Sequence, residues 1–307
     1  MGFQTKAGVL KKYTEENGIY DVVIPDGVTA IGSRAFENCR NVKSITIPFG
    51  VTSIGSGAFY CCVSLESVTI PDSVTEIGNG AFHSCSELES VIIPDSVSII
   101  GDNVFLSCQN LRSCEIQGST TYIGEGVFFN CKKLRSVKLS DRLTKIGNSM
   151  FNGCQELEKL EIPESVMTIG DLAFFNCTNL KKIIIPDSVT ELGGKCFMFC
   201  RSLQGVWLPA SIKKIPEGCF ACCVNIQNVI CASDIENENH SAFFSDPIMK
   251  MKLGKPRTVQ LSFLMVLNPS EILPFSAVPI LKYYIFLKQS DKSEIYRFIK
   301  AVLWNRS

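Results

Sequence analysis

The chain has 307 residues, of which 46% are hydrophobic and 20% are charged, and its 30 basic side chains balance its 30 acidic ones. This composition is typical of a folded chain with enough apolar material for a large core. A net charge of zero argues against nucleic acids and anionic membranes as partners, because both attract proteins mainly through basic side chains. The two histidines, His83 and His240, leave little scope for general acid–base catalysis near neutral pH.

A single internal repeat organises most of the sequence. Phenylalanine recurs every 23 residues, and cysteine follows it three positions later in nine consecutive copies. The repeated phenylalanines are Phe36, Phe59, Phe82, Phe105, Phe128, Phe151, Phe174, Phe197, Phe220 and Phe243. One unit cannot bury its apolar side alone, so the period predicts a solenoid in which like residues of successive coils touch one another.

The N-terminal segment, residues 1–19, is polar and is predicted to cap the solenoid. Lys6 occupies the position where N-myristoylation needs Ser or Thr, and no apolar stretch typical of a secretory signal peptide follows. The sequence therefore predicts a cytoplasmic protein, with the cell surface as the alternative. Residues 20–25 already have the strand pattern of the repeat and are predicted to form a capping strand.

Each unit of the solenoid, predicted over residues 20–245, reads approximately Leu-x-x-Val-x-Ile-Pro-x-x-Val-x-x-Ile-Gly-x-x-Ala-Phe-x-x-Cys. The alternation in Leu-x-x-Val-x-Ile predicts a strand that the proline ends. The Ile-Gly pair predicts a second bend, and Ala-Phe is expected to enter a short helical or 3₁₀ turn. The Ile-Gly pairs lack the surrounding glycines or lysine of a phosphate-binding loop and are interpreted as turn residues.

These motifs resemble those of the BspA-like (treponemal-type) leucine-rich repeat family over about residues 22–231. The resemblance implies an α/β fold: a right-handed leucine-rich repeat solenoid with 23-residue repeats and a parallel β-sheet on the concave face. It also implies a protein-binding surface and brings no catalytic residues. Some members of the family are surface adhesins of bacteria and parasitic protists.

The C-terminal segment, residues 246–307, loses the period and is predicted to form a helical cap. Apolar residues recur there at helical spacing after an N-capping segment at 290–294, namely at Ile295, Phe298, Ile299, Val302 and Leu303. The apolar run 272–287 has 16 residues, contains Lys282 and two prolines, and is shorter than the ~20 residues of a membrane-spanning helix. A buried helical pair is expected there, and no membrane span.

The cysteines are interpreted as structural. The repeated cysteine is expected to be a small buried residue that donates a weak S–H hydrogen bond to backbone carbonyls. Cys196 and Cys219 occupy the alanine position of adjacent coils, and with Cys200, Cys222 and Cys223 they place five thiols near one end. Structural zinc is an alternative at this cluster, but the spacing follows from the repeat, so no metal, cofactor or catalytic residue is predicted.

The outward positions of the predicted strands are the candidate binding site. The residue before the final Ile must project from the concave face, and reading it along the array gives an apolar group at Ile184, Trp207 and Ile230. Trp207 is the predicted anchor, because aromatic residues dominate interface energetics. Charged residues on the same face are expected to supply specificity: Glu115, Lys138, Lys159, Glu161 and Lys182. Equally, the C-terminal helices are expected to be able to fold over this apolar group.

The sequence thus predicts a monomeric, non-enzymatic scaffold that binds another protein through its concave face. A cell-surface adhesin for host or matrix proteins is the main alternative. An enzyme or metal protein built on the cluster from Cys196 to Cys223 is a more distant one.

Overall fold

The computed structural model describes residues 2–231, except for the side chains of Asn228, Ile230 and Cys231. Within this range the chain forms nineteen short β-strands joined by turns. The predicted C-terminal helical cap and the coil that carries Phe243 lie outside the described residues. The predicted boundaries of the cap (1–19), the solenoid (20–245) and the C-terminal segment (246–307) stay predictions.

The N-terminal residues form an antiparallel hairpin of β1 (Phe3–Lys6) and β2 (Val9–Tyr13). Ala7 and Gly8 make the turn, and both have a positive φ. The hairpin was not predicted, because the polar composition of this segment hides the few residues that carry its strand signal. The predicted capping strand lies next along the chain as β3 (Asp21–Val23).

The coils contribute two sets of strands, which we name the first and second ladders. The first ladder comes from the Leu-x-x-Val-x-Ile motif and consists of β3, β5 (Ser44–Thr46), β7 (Ser67–Thr69), β9 (Ser90–Ile93), β11 (Ser113–Ile116), β13 (Ser136–Lys138), β16 (Lys182–Ile184), β18 (Gly205–Leu208) and β19 (Asn228–Cys231). The second ladder ends at the isoleucine or leucine before the repeated glycine and consists of β4 (Ala30–Ile31), β6 (Ser53–Ile54), β8 (Glu76–Ile77), β10 (Ile99–Ile100), β12 (Tyr122–Ile123), β14 (Lys145–Ile146), β15 (Thr168–Ile169) and β17 (Glu191–Leu192).

All pairings within the ladders are parallel and in the register of the repeat. Ser44 pairs with Ser67 in the first ladder, and Ile99 pairs with Tyr122 in the second. β2 of the hairpin continues the second ladder by pairing in parallel with β4. The predicted solenoid of 23-residue coils is therefore confirmed.

The first ladder is divided into three sheets, with breaks between β7 and β9 and between β13 and β16; at the second break, residues 159–161 form no strand. Leu160 and Ile162 still face the core and are almost fully buried. The residues here are Lys, Leu and Glu, which have lower strand propensity than the β-branched and hydroxyl residues of the other coils. The sequence pattern therefore predicts correctly which residues of this coil point inward and outward. Its prediction of a regular strand here is wrong.

The interior is organised around a column of stacked rings. Tyr13 and the nine repeated phenylalanines from Phe36 to Phe220 lie one above another, with ring centroids 5.0 to 5.7 Å apart. Phe3 of the hairpin extends the column, 4.9 Å from Tyr13. The nine phenylalanine side chains are almost completely shielded from solvent. Stacking at the coil spacing lets each ring pack against two others, which a single coil cannot provide.

The segment that contains Ala-Phe is a turn and not a helix, so the expected helical or 3₁₀ turn is wrong; residues 2–231 contain no α-helix. Successive backbone amides of this segment alternate between hydrogen bonds within their own coil and hydrogen bonds to the next coil. Ala58 N donates to Gly55 O within the coil, whereas Phe59 N donates to Ala81 O in the next coil. The chain alternates in this way because Gly57 and Cys61 adopt left-handed conformations, with φ of 61° and 57°. Half of the amides thus hold neighbouring coils together, and a helix would have used them internally.

The repeated cysteines form a second interior column. From Cys62 to Cys223, the Sγ atom donates to the carbonyl oxygen of the repeated phenylalanine in the preceding coil, as Cys62 does to Phe36 at 3.1 Å and Cys131 to Phe105 at 3.0 Å. The same geometry recurs at Cys85, Cys108, Cys154, Cys177, Cys200 and Cys223. The predicted structural role of the thiol is confirmed at these positions.

The glycine of each Ile-Gly pair is required by close packing between coils. A Cβ atom at Gly78 would lie 2.6 Å from Ser56 N and 2.9 Å from Gly55 C, both backbone atoms of the preceding coil. Its φ lies outside the left-handed region, so alanine suits the local conformation. The interpretation of these glycines as turn residues was therefore incomplete.

Replacing Gly78 with alanine should destabilise the protein by about 2–3 kcal/mol, because the new methyl group forces two hydrogen-bonded coils apart. Gly118→Ala is the matched control, since the nearest atom to its Cβ would be Asp95 Oδ1 at an ordinary 3.5 Å. Denaturant unfolding of the two variants measures the difference. Equal midpoints would show that coil spacing does not depend on this glycine.

Candidate binding face on the first ladder

The outward side of the first ladder, which we call the strand face, carries five of the residues predicted for binding: Glu115, Lys138, Lys182, Ile184 and Trp207. In β18, Val206 and Leu208 are buried, whereas Gly205 and Trp207 alternate with them on the opposite side. The same alternation holds in β11 and β13, where Glu115 and Lys138 point away from the core. The strand period therefore places the predicted residues on one side of the sheet.

The apolar group at Ile184, Trp207 and Ile230 is brought together by strand register. Ile184 pairs with Trp207 and Trp207 pairs with Ile230 in adjacent parallel strands. The side chains of Ile184 and Trp207 are partly exposed. Gly205 lies two residues before Trp207 on the same side of the strand and has no side chain. Within the described part of the chain, Trp207 Nε1 is buried and has no hydrogen-bond partner.

The predicted specificity residues form a charged strip next to this group. Lys138 Nζ lies 2.7 Å from Glu115 Oε1, so these two residues of neighbouring strands form a salt bridge. The hydrogen bond to Glu115 raises the pKa of Lys138. Both side chains are well exposed, which limits the stabilisation from such a pair to about 1 kcal/mol or less. Lys159, Glu161 and Lys182 are also exposed, the first two in the coil that lacks a strand.

A second column of charge, at the position just before each strand, was missed by sequence reasoning. Lys43 Nζ lies 3.0 Å from Glu66 Oε1, and Lys181 Nζ lies 2.9 Å from Glu158 Oε2. The hydrogen bond from Lys181 lowers the pKa of Glu158. These residues recur at the 23-residue period, so the column was visible as charge at a fixed repeat position. It borders the strand face with further exposed charge of both signs.

The described thiols of the cluster contact one another or backbone carbonyls, and His83 contacts Tyr60. Cys196 Sγ and Cys219 Sγ touch at 3.3 Å, while Cys200 and Cys223 donate to backbone carbonyls. Over residues 2–231, no three His, Cys, Asp or Glu side chains are placed to hold a metal ion. His83 is half-buried edge-on against Tyr60, with ring centroids 4.8 Å apart, and burial lowers its pKa.

The part of the chain that the structure describes contains no helix long and apolar enough to cross a membrane. The predicted helices at the C-terminal end, including the apolar run 272–287, fall outside that part. Whether they cover Trp207 stays a prediction.

A solenoid of 23-residue coils with parallel ladders, a phenylalanine column and a repeated Leu-x-x-Val-x-Ile strand has the architecture of leucine-rich repeat proteins. The sequence profile of the BspA type leucine rich repeat region matches in six copies over residues 11–135 and 121–250. The chain therefore belongs to the BspA-type leucine-rich repeat family, and the predicted family is confirmed.

Of three similar solved structures, the first two support the same fold. A leucine-rich repeat protein from Bacteroides ovatus is 30% identical over 75% of this chain and 69% of its own, with a TM-score of 0.62. The leucine-rich repeat protein of T. pallidum is 29% identical over 64% of this chain and 82% of its own, with a TM-score of 0.51. A leucine-rich cell surface protein from Faecalibacterium prausnitzii is 29% identical over 76% and 81%, with a TM-score of 0.48. Comparison with curated proteins found no match.

Proposed function

We propose that this protein is a non-enzymatic scaffold that binds another protein through the strand face, with Trp207 as the anchor. The observation that carries the proposal is the register that pairs Ile184 with Trp207 and Trp207 with Ile230 in adjacent strands. Exposed apolar groups of this kind are typical of interaction sites. Membership of a leucine-rich repeat family supports the same role, because its members are typically protein-binding scaffolds.

Trp207 combines the features of an interface anchor. Its indole is partly exposed, so a partner has ring surface to cover, and its Nε1 atom is already buried. A side chain that is fixed before binding loses little conformational entropy when the partner arrives. Burial of the remaining ring area then contributes directly to affinity.

The charged strip beside the anchor is suited to selecting the partner. Glu115, Lys138, Lys159, Glu161 and Lys182 present both signs of charge along one side of Trp207. Exposed charges of this type influence the association rate and exclude partners with like charges more than they add affinity. We therefore propose a partner with a small apolar projection flanked by charges of both signs, bound by a monomer of this chain.

The proposal is independent of the cellular compartment. The cytoplasmic location predicted from the sequence has no support in the comparisons, which include a protein described as a cell surface protein. The strand face has the same chemistry in either place. The compartment stays a prediction.

Replacing Trp207 with alanine should weaken binding of the partner by at least about 30-fold, the effect expected for a central interface anchor. The test uses the immobilised full-length chain, extracts of the cells that express it, and quantitative mass spectrometry of the captured proteins. Lys182→Glu, which reverses an exposed charge on the same face, should weaken capture of the same proteins. Thermal unfolding of each variant establishes that the solenoid is intact.

Phe49→Ala is the control, because Phe49 is a large apolar side chain that is 84% exposed in the turn after β5. It should leave capture unchanged, which separates loss of the strand face from general loss of surface hydrophobicity. If the folded Trp207→Ala variant captures every protein as well as the wild type does, the strand face is not the binding site.

A further inference from the structure

Two buried cysteines in adjacent coils are in direct contact through their sulfur atoms. Cys196 Sγ and Cys219 Sγ lie 3.3 Å apart, and both side chains are fully buried. They occupy the repeat position that holds a small alanine at Ala58, Ala81 and Ala173. The contact therefore arises from two substitutions at one repeat position, in consecutive coils.

The backbone holds the two residues in register. Phe174 N donates to Cys196 O at 2.7 Å, and Phe197 N donates to Cys219 O at 2.9 Å. The two sulfurs accordingly need to approach by only about 1.3 Å to reach the ~2.05 Å length of a disulfide bond. No change in the order or register of the coils is needed for that movement.

A second pair of cysteines in the same two coils provides an internal comparison. Cys200 Sγ donates to Phe174 O at 3.1 Å, and Cys223 Sγ donates to Phe197 O at 3.0 Å. Each of these thiols has a backbone partner that a disulfide would remove. Cys196 and Cys219 contact each other instead, so their oxidation requires no loss of an S–H bond to a phenylalanine carbonyl of the kind that Cys200 and Cys223 make.

We propose that Cys196 and Cys219 are a site of covalent modification, at which a small disulfide such as oxidised glutathione forms a cross-link between two coils. One cysteine thiolate attacks a glutathione disulfide sulfur and releases one glutathione thiolate. The second cysteine thiolate then attacks the protein sulfur of the mixed disulfide and releases the other. The two cysteines lose two protons and two electrons, and the glutathione disulfide becomes two glutathione molecules.

The two thiols react when their coils are separated and are shielded from solvent when the coils are stacked. Burial, followed by the contact with Cys219, raises the pKa of Cys196 well above its ordinary value, so the folded protein contains very little reactive thiolate. The cross-link therefore forms during folding or local opening. Once formed, it is shielded from reductants by the same burial.

The cross-link closes the coil that carries Trp207. The segment between Cys196 and Cys219 contains the whole of β18. The disulfide therefore joins the two ends of this segment covalently. Closing a loop of this length stabilises a protein mainly by restricting its unfolded chain. The inference does not depend on the proposed binding role of Trp207.

The test is refolding of the reduced full-length chain in a buffer of reduced and oxidised glutathione, followed by alkylation, trypsin digestion and mass spectrometry. Cleavage after Lys195 and Lys214 puts Cys196 and Cys200 in one peptide and Cys219, Cys222, Cys223 and Cys231 in another. We expect these two peptides to be linked in the wild type and in Cys200→Ala. In Cys196→Ala the linkage should fall at least about tenfold.

The thermal midpoint gives a second readout. Oxidised wild type should melt about 5 °C above its reduced form, and Cys196→Ala should show no such shift. Alanine is the residue that other coils often have at this repeat position, as at Ala58, Ala81 and Ala173, so Cys196→Ala is expected to fold. Absence of the linkage in refolded wild type, or its persistence in Cys196→Ala, would refute the proposed cross-link.

Discussion

Raising the pH above about 8.5 should unfold this protein with an unusually steep dependence on pH. Burial raises the pKa of the cysteines of the interior column, to about 12 at Cys39 and Cys223 and well above the ordinary value at Cys85, Cys131 and Cys154. In the unfolded chain the same thiols lose their protons near pH 8.5. Above that pH the folded state holds more protons than the unfolded state, and stability falls.

The direction of the pH effect, and the pH range in which it acts, follow from these pKa shifts. The stabilisation is fully present below the unfolded pKa of about 8.5 and is lost progressively as the pH rises towards the folded values, about 12 at Cys39 and Cys223. Each thiol contributes about 1.4 kcal/mol per pH unit in this window. Even about six thiols that unfold together would remove on the order of 8 kcal/mol per unit, which is comparable with the whole stability of a typical domain.

Denaturant unfolding between pH 7 and pH 10, with reductant present, measures the slope. Cys114→Val is the control, because Cys114 is buried with a raised pKa at a strand position that holds valine at Val91 and Val137. This variant should keep the fold. The slope of its free energy of unfolding against pH should be smaller than that of the wild type by about 1.4 kcal/mol per pH unit. A stability that stays constant from pH 8.5 to pH 10 would show that the thiols are not protected by burial.

Replacing Phe128 with alanine should destabilise the protein by about 3–5 kcal/mol. Phe128 is fully buried in the middle of the ring column, 5.7 Å from Phe105 and 5.5 Å from Phe151. The rings above and below are held at the coil spacing by backbone hydrogen bonds on both sides, such as Phe128 N to Met150 O at 2.9 Å. The cavity therefore cannot collapse easily, and the cost lies in the upper range for such substitutions.

Phe129→Ala is the matched control for this variant. Phe129 is the next residue along the chain and is 37% exposed, so the same chemical change should cost about 1 kcal/mol or less. Denaturant unfolding compares the two midpoints, and hydrogen exchange should show faster opening of the neighbouring coils in Phe128→Ala alone. Similar losses in both variants would mean that the ring column does not carry the stability of the solenoid.

The residues that meet across coils were predictable from the period alone. Ile184, Trp207 and Ile230 share one repeat position, and the strands that carry them pair in that register. The same argument predicted that Phe105, Phe128 and Phe151 would stack. Such predictions succeed because stacked coils of equal length place residue i beside residue i+23.

Other features of the structure depended on which side chains and backbone atoms lie next to each residue. The salt bridge between Glu115 and Lys138 required two long side chains to select facing rotamers, which spacing alone does not specify. Lys159 and Glu161 keep their outward positions, but their coil lacks a strand because its residues favour one weakly. The role of Gly78 became visible only through the 2.6 Å that would separate a Cβ atom at this position from Ser56 N.

The sequence by itself determined the number of residues in a coil, the inward and outward positions, and the identity of the interior columns, because these follow from periodicity and burial of apolar surface. Only the tertiary structure decided where the backbone amides bond. Phe59 N donates to the next coil and Ala58 N donates within its own, so the Ala-Phe segment is a turn and not a helix. An amide's choice of partner depends on the coil beside it, and that coil is present only after the chain has stacked.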